Sequence, residues 1–241
     1  MSRARPSPNI WNWPGIYEAE NRAHDVDDAI ATTLRPLAVW SGDVGDVGCG
    51  TGFHLPRFAA DAHSVLGVEP HPPLVEIARR RVVDLPHVRV EHGDAERLPL
   101  PDACVDVVHA RTAYFFGPGC EPGIREAMRV LRPGGVLVVV DLDATAHDYG
   151  GWMRANEPGY DPAAVEAFFA RLGFELRRVD TRWVFPDRET LRAVLGIEFT
   201  KSTAAWAYAA TPGLALDVGY RIHTRRRPAA GLLVTRAWRP S

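Results

Sequence analysis

Four glycines stand within the ten residues DVGDVGCGTG (43–52): Gly45, Gly48, Gly50 and Gly52. A glycine inside a strand or helix costs about 0.5–1 kcal/mol relative to alanine, so a run of them must be offset by something that approaches the bare backbone. The run joins a strand-like DVGDV to a helix-like GFHLPRFAADA. Glycines at such a turn permit a tight bend and let backbone N–H groups come close to a ligand. Glu69 closes the next strand-like segment, SVLGVE (64–69). An acid there is placed to accept hydrogen bonds from both hydroxyls of a ribose. Asp94, in HGDAERLPLP, follows the third strand-like segment, where it can accept from an exocyclic amine such as adenine N6. The ends of three successive strands thus describe a nucleoside site. A nicotinamide oxidoreductase fits less well. The dinucleotide fingerprint is G-x-G-x-x-G, and Phe53 or Leu55 stands where its last small residue belongs.

These residues are only useful if the elements around them alternate correctly. Ile16, Ala19, Ala23, Val26, Ile30, Leu34 and Leu37 recur at steps of three and four. That predicts one amphipathic helix from Gly15 to about Pro36, preceded by an extended segment. After SVLGVE comes PPLVEIARRR, which reads as a helix, then strand-like VRVEHGD (88–94) and CVDVVHAR (104–111), then the helix-like EPGIREAMRVLRPGG and strand-like VLVVVDLD (136–143). DPAAVEAFFARLGF reads as a helix with Asp161 as N-cap, Pro162 at N1 and Gly173 as the stop. ELRRVDTRWVF, DVGYRIHTR (217–225) and GLLVTRAW (231–238) are further strand candidates, and DRETLRAVLGIEF is a further helix. Strands alternating with helices point to βαβ units and a parallel sheet, which binds ligands at the carboxyl ends of its strands.

Composition narrows the partners. The 241 residues are 46% hydrophobic and 24% charged, as in a soluble globular domain. The net charge of −2 argues against a nucleic-acid partner, and no apolar run suggests a membrane span. Cys49, Cys104 and Cys120 form no CxxC pair. The N-terminus lacks the apolar stretch of a secretory signal, so a cytoplasmic protein is expected, as monomer or homodimer.

The segment DVGCGTG resembles motif I of the class I S-adenosylmethionine-dependent methyltransferases. The similarity extends through GVEPHPPLVEIARRR, GDAERLPLPDACVDVVHAR and REAMRVLRPGGVLVVVD, which resemble the small-molecule, type 11-like branch over residues 40 to 142. The resemblance implies an α/β, Rossmann-like three-layer sandwich whose seven-stranded, mostly parallel sheet has its last strand antiparallel. It implies an N-terminal lid over residues 1–40, a methyltransferase domain over 41–241 and a substrate-cap insertion over 143–161. The cofactor would be S-adenosyl-L-methionine. Gly48, Cys49, Gly50 and Gly52 would line its methionine part, and Asp46 would orient the loop or reach the cofactor amine. Glu69 would hold the ribose, Pro70 and Leu74 would pack on the adenine, and Asp94 and Ala95 would meet its edge. His109 and Ala110 would lie near the sulfonium, with Tyr17 and Asn21 in the lid. Gly45 departs from the family's bulky strand residue and is expected to weaken the first strand.

The resemblance implies an enzyme that methylates a small molecule by in-line transfer, driven mainly by positioning. The alternative is an inactive cofactor-binding module that serves as sensor or partner subunit. His109 is the one candidate base, but no acid stands in the sequence where it would orient the imidazole, so a positioning role is expected. Asp141, Asp143 and His147 resemble a metal set but read better as solvated polar residues. His24, Asp25, Asp27 and Asp28 read as the polar face of the first helix. Tyr149, Trp152 and Tyr160 either cap an acceptor or anchor a long loop. HART (109–112) replaces the Asn/Asp-Pro-Pro-Tyr/Phe motif for amino groups on bases and glutamine, which disfavours those acceptors.

Overall fold

The structure, a computed structural model, describes residues 6–114 and 117–229. Among these, seven strands form one sheet: β1 (Asp43–Val47), β2 (Ser64–Glu69), β3 (Val88–His92), β4 (Val105–Arg111), β5 (Leu131–Leu142), β6 (Glu175–Val184) and β7 (Ala215–Arg226). Their order is β3-β2-β1-β4-β5-β7-β6. β1 to β5 pair in parallel, and β7 runs antiparallel to both β5 and β6. The seven-stranded sheet with an antiparallel last strand is therefore present. The candidate GLLVTRAW lies outside the described residues.

β5 is buried on both sides because its run Val136–Val140 is apolar throughout. Val136, Val138 and Val140 join one core, and Leu137 and Val139 the other. Helices α1 (Pro8–Asn12), α2 (Pro14–Ala23) and α3 (Ala29–Leu34) precede the sheet. α4 (Leu55–Ala59), α5 (Pro72–Arg81) and α6 (Glu121–Val130) connect its parallel strands. Beyond β5 come α7 (His147–Asn156), α8 (Pro162–Arg171), α9 (Arg188–Glu198) and α10 (Lys201–Ala210). Asp161 caps α8 as expected, accepting from the N–H groups of Ala163 and Ala164.

Several elements differ from the sequence expectation. The single helix over 15–37 is broken, because Asp25 and Asp28 take left-handed backbone at φ 48° and 56°. Asp25 then accepts the Ile30 N–H at 3.0 Å with either oxygen, which starts α3 afresh. The segment before Gly15 contains helix α1 rather than extended chain. α6 ends at Val130 and β5 begins at once with Leu131, so Pro133 lies in a strand extension rather than stopping the helix. Tyr149 and Trp152 of α7 are buried in the core beside Trp183 and Phe199. Gly45 pairs in register with Leu66 and Val108, and a Cβ there would meet nothing closer than 3.9 Å.

Asp141 and Arg221 are register partners on β5 and β7 and are both fully buried. Neither carboxylate oxygen has a hydrogen-bond partner among the described residues. Burial pushes this carboxyl up to about 7, against an ordinary 3.8. The folded protein thus holds a proton that the unfolded chain releases. The stabilisation is complete below the unfolded value and is lost as pH rises through about 7. Asp141→Asn is therefore expected to raise Tm by a few degrees more at pH 8 than at pH 5. Equal shifts in melts at the two pH values would contradict this. Asp143 bonds Thr145 and Arg178, and His147 bonds Asp180, so these side chains diverge rather than facing one point.

Candidate active site

The carboxyl ends of β1, β2 and β4 open into a cavity of about 340 Å³. It sits where the strand order reverses between β1 and β4, the position at which open parallel sheets bind ligands. Gly48, Cys49, Gly50 and Thr51 form one wall, and Glu69 and Pro70 another. Asp94 and Ala95 lie beyond them. Tyr17 and Asn21 of α2, with Ile10 and Trp11 of α1, close the top.

The glycine turn owes its shape to missing side chains rather than to free amides. The N–H groups of Gly48 and Cys49 both donate to the Val68 carbonyl, at 2.8 and 3.1 Å. The Gly50 N–H donates to Glu69 Oε2 at 3.0 Å. Gly48 and Gly50 take φ of +75° and +56°. A Cβ on Gly50 would stand 2.8 Å from Ile10 Cδ1, and one on Gly48 would stand 3.2 Å from the Ala113 Cβ. Side chains there would fill the space a ligand needs. Glu69 is 4% exposed and its other oxygen accepts the His71 N–H at 2.9 Å. A carboxylate offers about four acceptor positions, so lone pairs remain for a diol. Burial raises the pKa of Glu69, opposed by those two backbone N–H bonds. Burial also pushes the Cys49 thiol well up, so no thiolate forms at this turn. These residues fit a nucleoside carrying a short charged chain.

A second pair lies at the same strand ends. Asp46 and His109 are register partners on β1 and β4. His109 Nδ1 and Asp46 Oδ1 stand 2.8 Å apart, with both side chains buried. A carboxylate only accepts, so beside it Nδ1 carries the proton. The expectation that no acid orients His109 is thereby overturned. The sequence separates the two residues, and only the adjacency of β1 and β4 joins them.

Comparison with known proteins agrees with this geometry. Residues 45–139 match the methyltransferase domain family. The chain is 30% identical over 210 residues to a malonyl-[acyl-carrier protein] O-methyltransferase of Serratia marcescens, covering 78% of this chain and 80% of that protein. The chain belongs to the class I S-adenosylmethionine-dependent methyltransferases. A second relative, an uncharacterized 37.1 kDa protein in a transposon of Streptomyces fradiae, is 41% identical over 184 residues. That match covers 74% of this chain and only 43% of the relative's length. Among solved structures, the YcgJ protein of Bacillus subtilis shares the fold with a TM-score of 0.58 at 16% identity, covering 83% of this chain and 97% of that one. The cofactor of this methyltransferase is S-adenosylmethionine.

Not every predicted residue reaches the methyltransferase cavity. Gly52 does not line it. Its absent Cβ would stand 3.0 Å from Ala78 Cβ and 3.1 Å from Leu55 Cδ1, so it permits α5 to approach the turn. Leu74 is buried in α5 away from the cavity, and Ala110 points into the core on the other face of the sheet from His109. His109 itself lines a neighbouring cavity with Asn21, Phe53, His54 and Arg111.

Residues that sequence reasoning missed lie mostly in the N-terminal helices. Trp11 stacks on His71 with ring centroids 4.4 Å apart. Glu18 pairs with Arg81 at 2.6 Å and also bonds the Thr51 hydroxyl. Asn9 donates to Glu198 at 2.6 Å. These contacts tie α1 and α2 across the cavity to three separate elements. From the sequence, Trp11 and Trp13 either cap an acceptor or anchor the chain, and the expectation of extended chain before Gly15 hid the helix that carries Trp11. No helix among the described residues is long and apolar enough to cross a membrane.

Proposed function

We propose that this protein transfers a methyl group from S-adenosylmethionine to a small-molecule acceptor, with positioning as the main source of rate. The observation that carries this reading is that the glycine turn, Glu69 and Asp94 line one cavity. The cofactor supplies a methyl group on a sulfonium, already activated for attack. The protein's own residues bind and orient. Glu69 accepts from the ribose hydroxyls and Asp94 from the adenine amine. The bare backbone of Gly48 and Gly50 makes room for the methionine chain. Tyr17 and Trp11 exclude water from above. Orientation of two bound reactants can supply on the order of 7–11 kcal/mol, so no nucleophilic triad is required.

A cavity closed over by α1 and α2 favours a compact acceptor over a duplex or a folded protein. The Serratia relative is named for O-methylation, which supports oxygen as an acceptor atom. The test is incubation with methyl-labelled S-adenosylmethionine and a fractionated low-mass cell extract. The expected result is release of S-adenosylhomocysteine together with one product heavier by a methyl group. Tight cofactor binding without any release would favour a cofactor-holding module instead.

A further inference from the structure

The neighbouring cavity encloses about 460 Å³ and shares Asn21, Phe53, His54 and Arg111 with the cofactor cavity. One side of it is aromatic and apolar, with Trp40, Phe58, Phe53, Ile30 and Leu34, while Asp25, Arg35, Arg57 and Asp61 also line it. The His109 ring stands 5.0 Å from the Phe58 ring and 6.3 Å from that of Trp40. Its Nδ1 is held by Asp46, and Nε2 makes no hydrogen bond among the described residues. Arg111 follows two positions later on the same face of β4. Its hydrogen bonds go to neutral partners, His24 Nδ1 and the Tyr220 hydroxyl, each at 3.1 Å. No carboxylate lies within ion-pair distance of it among the described residues. Glu20, the acid that feels its charge, is held well above the usual range by burial and by Glu198. A half-buried guanidinium with no ion-paired carboxylate, in a cavity lined by Arg35, Arg57 and Arg111 against Asp25 and Asp61, calls for an anion.

Resting on the methyl-transfer reading, we propose that this second cavity is the acceptor site. It takes a planar phenol or enol that carries a carboxylate. Arg111 binds the carboxylate, and His109, positioned by Asp46, receives the hydroxyl proton. Alternate residues of one strand face are roughly 7 Å apart, which suits a hydroxyl and a carboxylate at opposite ends of one ring. In the step, the O–H bond breaks and its electron pair stays on oxygen. The proton passes to His109 Nε2, giving an imidazolium that Asp46 stabilises, and the freed oxygen is the atom that would take the methyl group, the sulfonium S–CH3 bond breaking with its electron pair left on sulfur and neutral S-adenosylhomocysteine as the leaving group. The other titratable and charged groups lining this cavity are His54 and Arg57 from the α4 turn, Asp61 just beyond α4, His24 and Asp25 at the end of α2, Arg35 after α3, and Arg111; Asp25 already accepts the Ile30 N–H. Burial, reinforced by Arg111, holds His24 and His54 well below their ordinary range, so neither competes for the proton near neutral pH.

The test uses 4-hydroxy-3-nitrobenzoate, whose phenol ionises near neutral pH and whose phenolate absorbs visible light. It is titrated into the protein saturated with S-adenosylhomocysteine, beside 2-nitrophenol, the same chromophore without the carboxylate. The acid is expected to bind at least tenfold more tightly and to become more ionised on binding. Arg111→Met should reduce the acid to the affinity of 2-nitrophenol, a larger loss than any it causes in S-adenosylhomocysteine affinity. His109→Gln should keep acid affinity within about threefold but lose the added ionisation. The proposal is overturned if the two phenols bind alike, if S-adenosylhomocysteine and the acid displace each other, if Arg111→Met weakens S-adenosylhomocysteine instead of the acid, or if ionisation survives in His109→Gln. The comparison of the two phenols on the unaltered protein depends on no variant folding. Failure of S-adenosylhomocysteine to bind at all would sink the methyl-transfer reading itself, which the other outcomes leave standing.

Discussion

Glu69→Ala weakens S-adenosylhomocysteine binding by well over tenfold. The carboxylate is placed to make two charge-assisted bonds to a ribose, each contributing about 1.5–3 kcal/mol before water compensates in part. The structure adds a second loss. Glu69 also accepts from the Gly50 and His71 N–H groups, so alanine leaves two amides of the cradle unpaired. The variant is therefore expected to melt lower as well as bind worse. Glu69→Gln separates the two effects, because it keeps an acceptor for one amide but loses the charge. Its raised pKa gives a further readout. Binding that needs the ionised carboxylate weakens as pH falls through that raised value, and the glutamine variant shows no such weakening. Calorimetric titration of both variants checks this, and an unchanged Kd in Glu69→Ala would make Glu69 a structural acid only.

Gly52→Ala is expected to destabilise the fold strongly. Its φ of +75° costs an L-residue roughly 1–2 kcal/mol. The new Cβ also meets Ala78 Cβ at 3.0 Å and Ala78 Cα at 3.2 Å, neither of which can swing aside. Overpacking of this kind costs about 1–3 kcal/mol. Together these correspond to a Tm lower by roughly 5–20 °C for a chain of this size. Gly48→Ala shares the strained φ, but its Cβ faces the cavity and Ala113. It should lose cofactor affinity out of proportion to its loss of stability. Melting curves with and without S-adenosylhomocysteine distinguish the two glycines. Equal behaviour would mean that Gly52 is not the packing glycine.

What the sequence made legible was local or strongly periodic. The glycine turn, Glu69 and Asp94 each sit at the end of a strand whose apolar pattern is unambiguous, and the cap at Asp161 is a short-range signal. The break at Asp25 and Asp28 was hidden because apolar spacing continues across it, and periodicity does not register a left-handed residue. α10 escaped notice because KSTAAWAYAA has no clear apolar stripe, and its burial comes from packing on α9 and α7. The role of Gly52 depends on how closely α5 passes, and that of Leu74 on the rotation of the same helix. The Asp46–His109 pair depends on strand order, since β1 and β4 are neighbours while β2 and β3 intervene in the chain. Each of these is a tertiary fact with no local trace.

Calorimetric titration of S-adenosylhomocysteine into the purified protein, with NAD as the parallel ligand, tests the central claim most directly. Saturable binding to one site is expected and, at a hundred times Kd, about 2.7 kcal/mol of added stability, seen as a Tm rise of several degrees, with no response to NAD. No binding of S-adenosylhomocysteine, or an equal response to NAD, would contradict it.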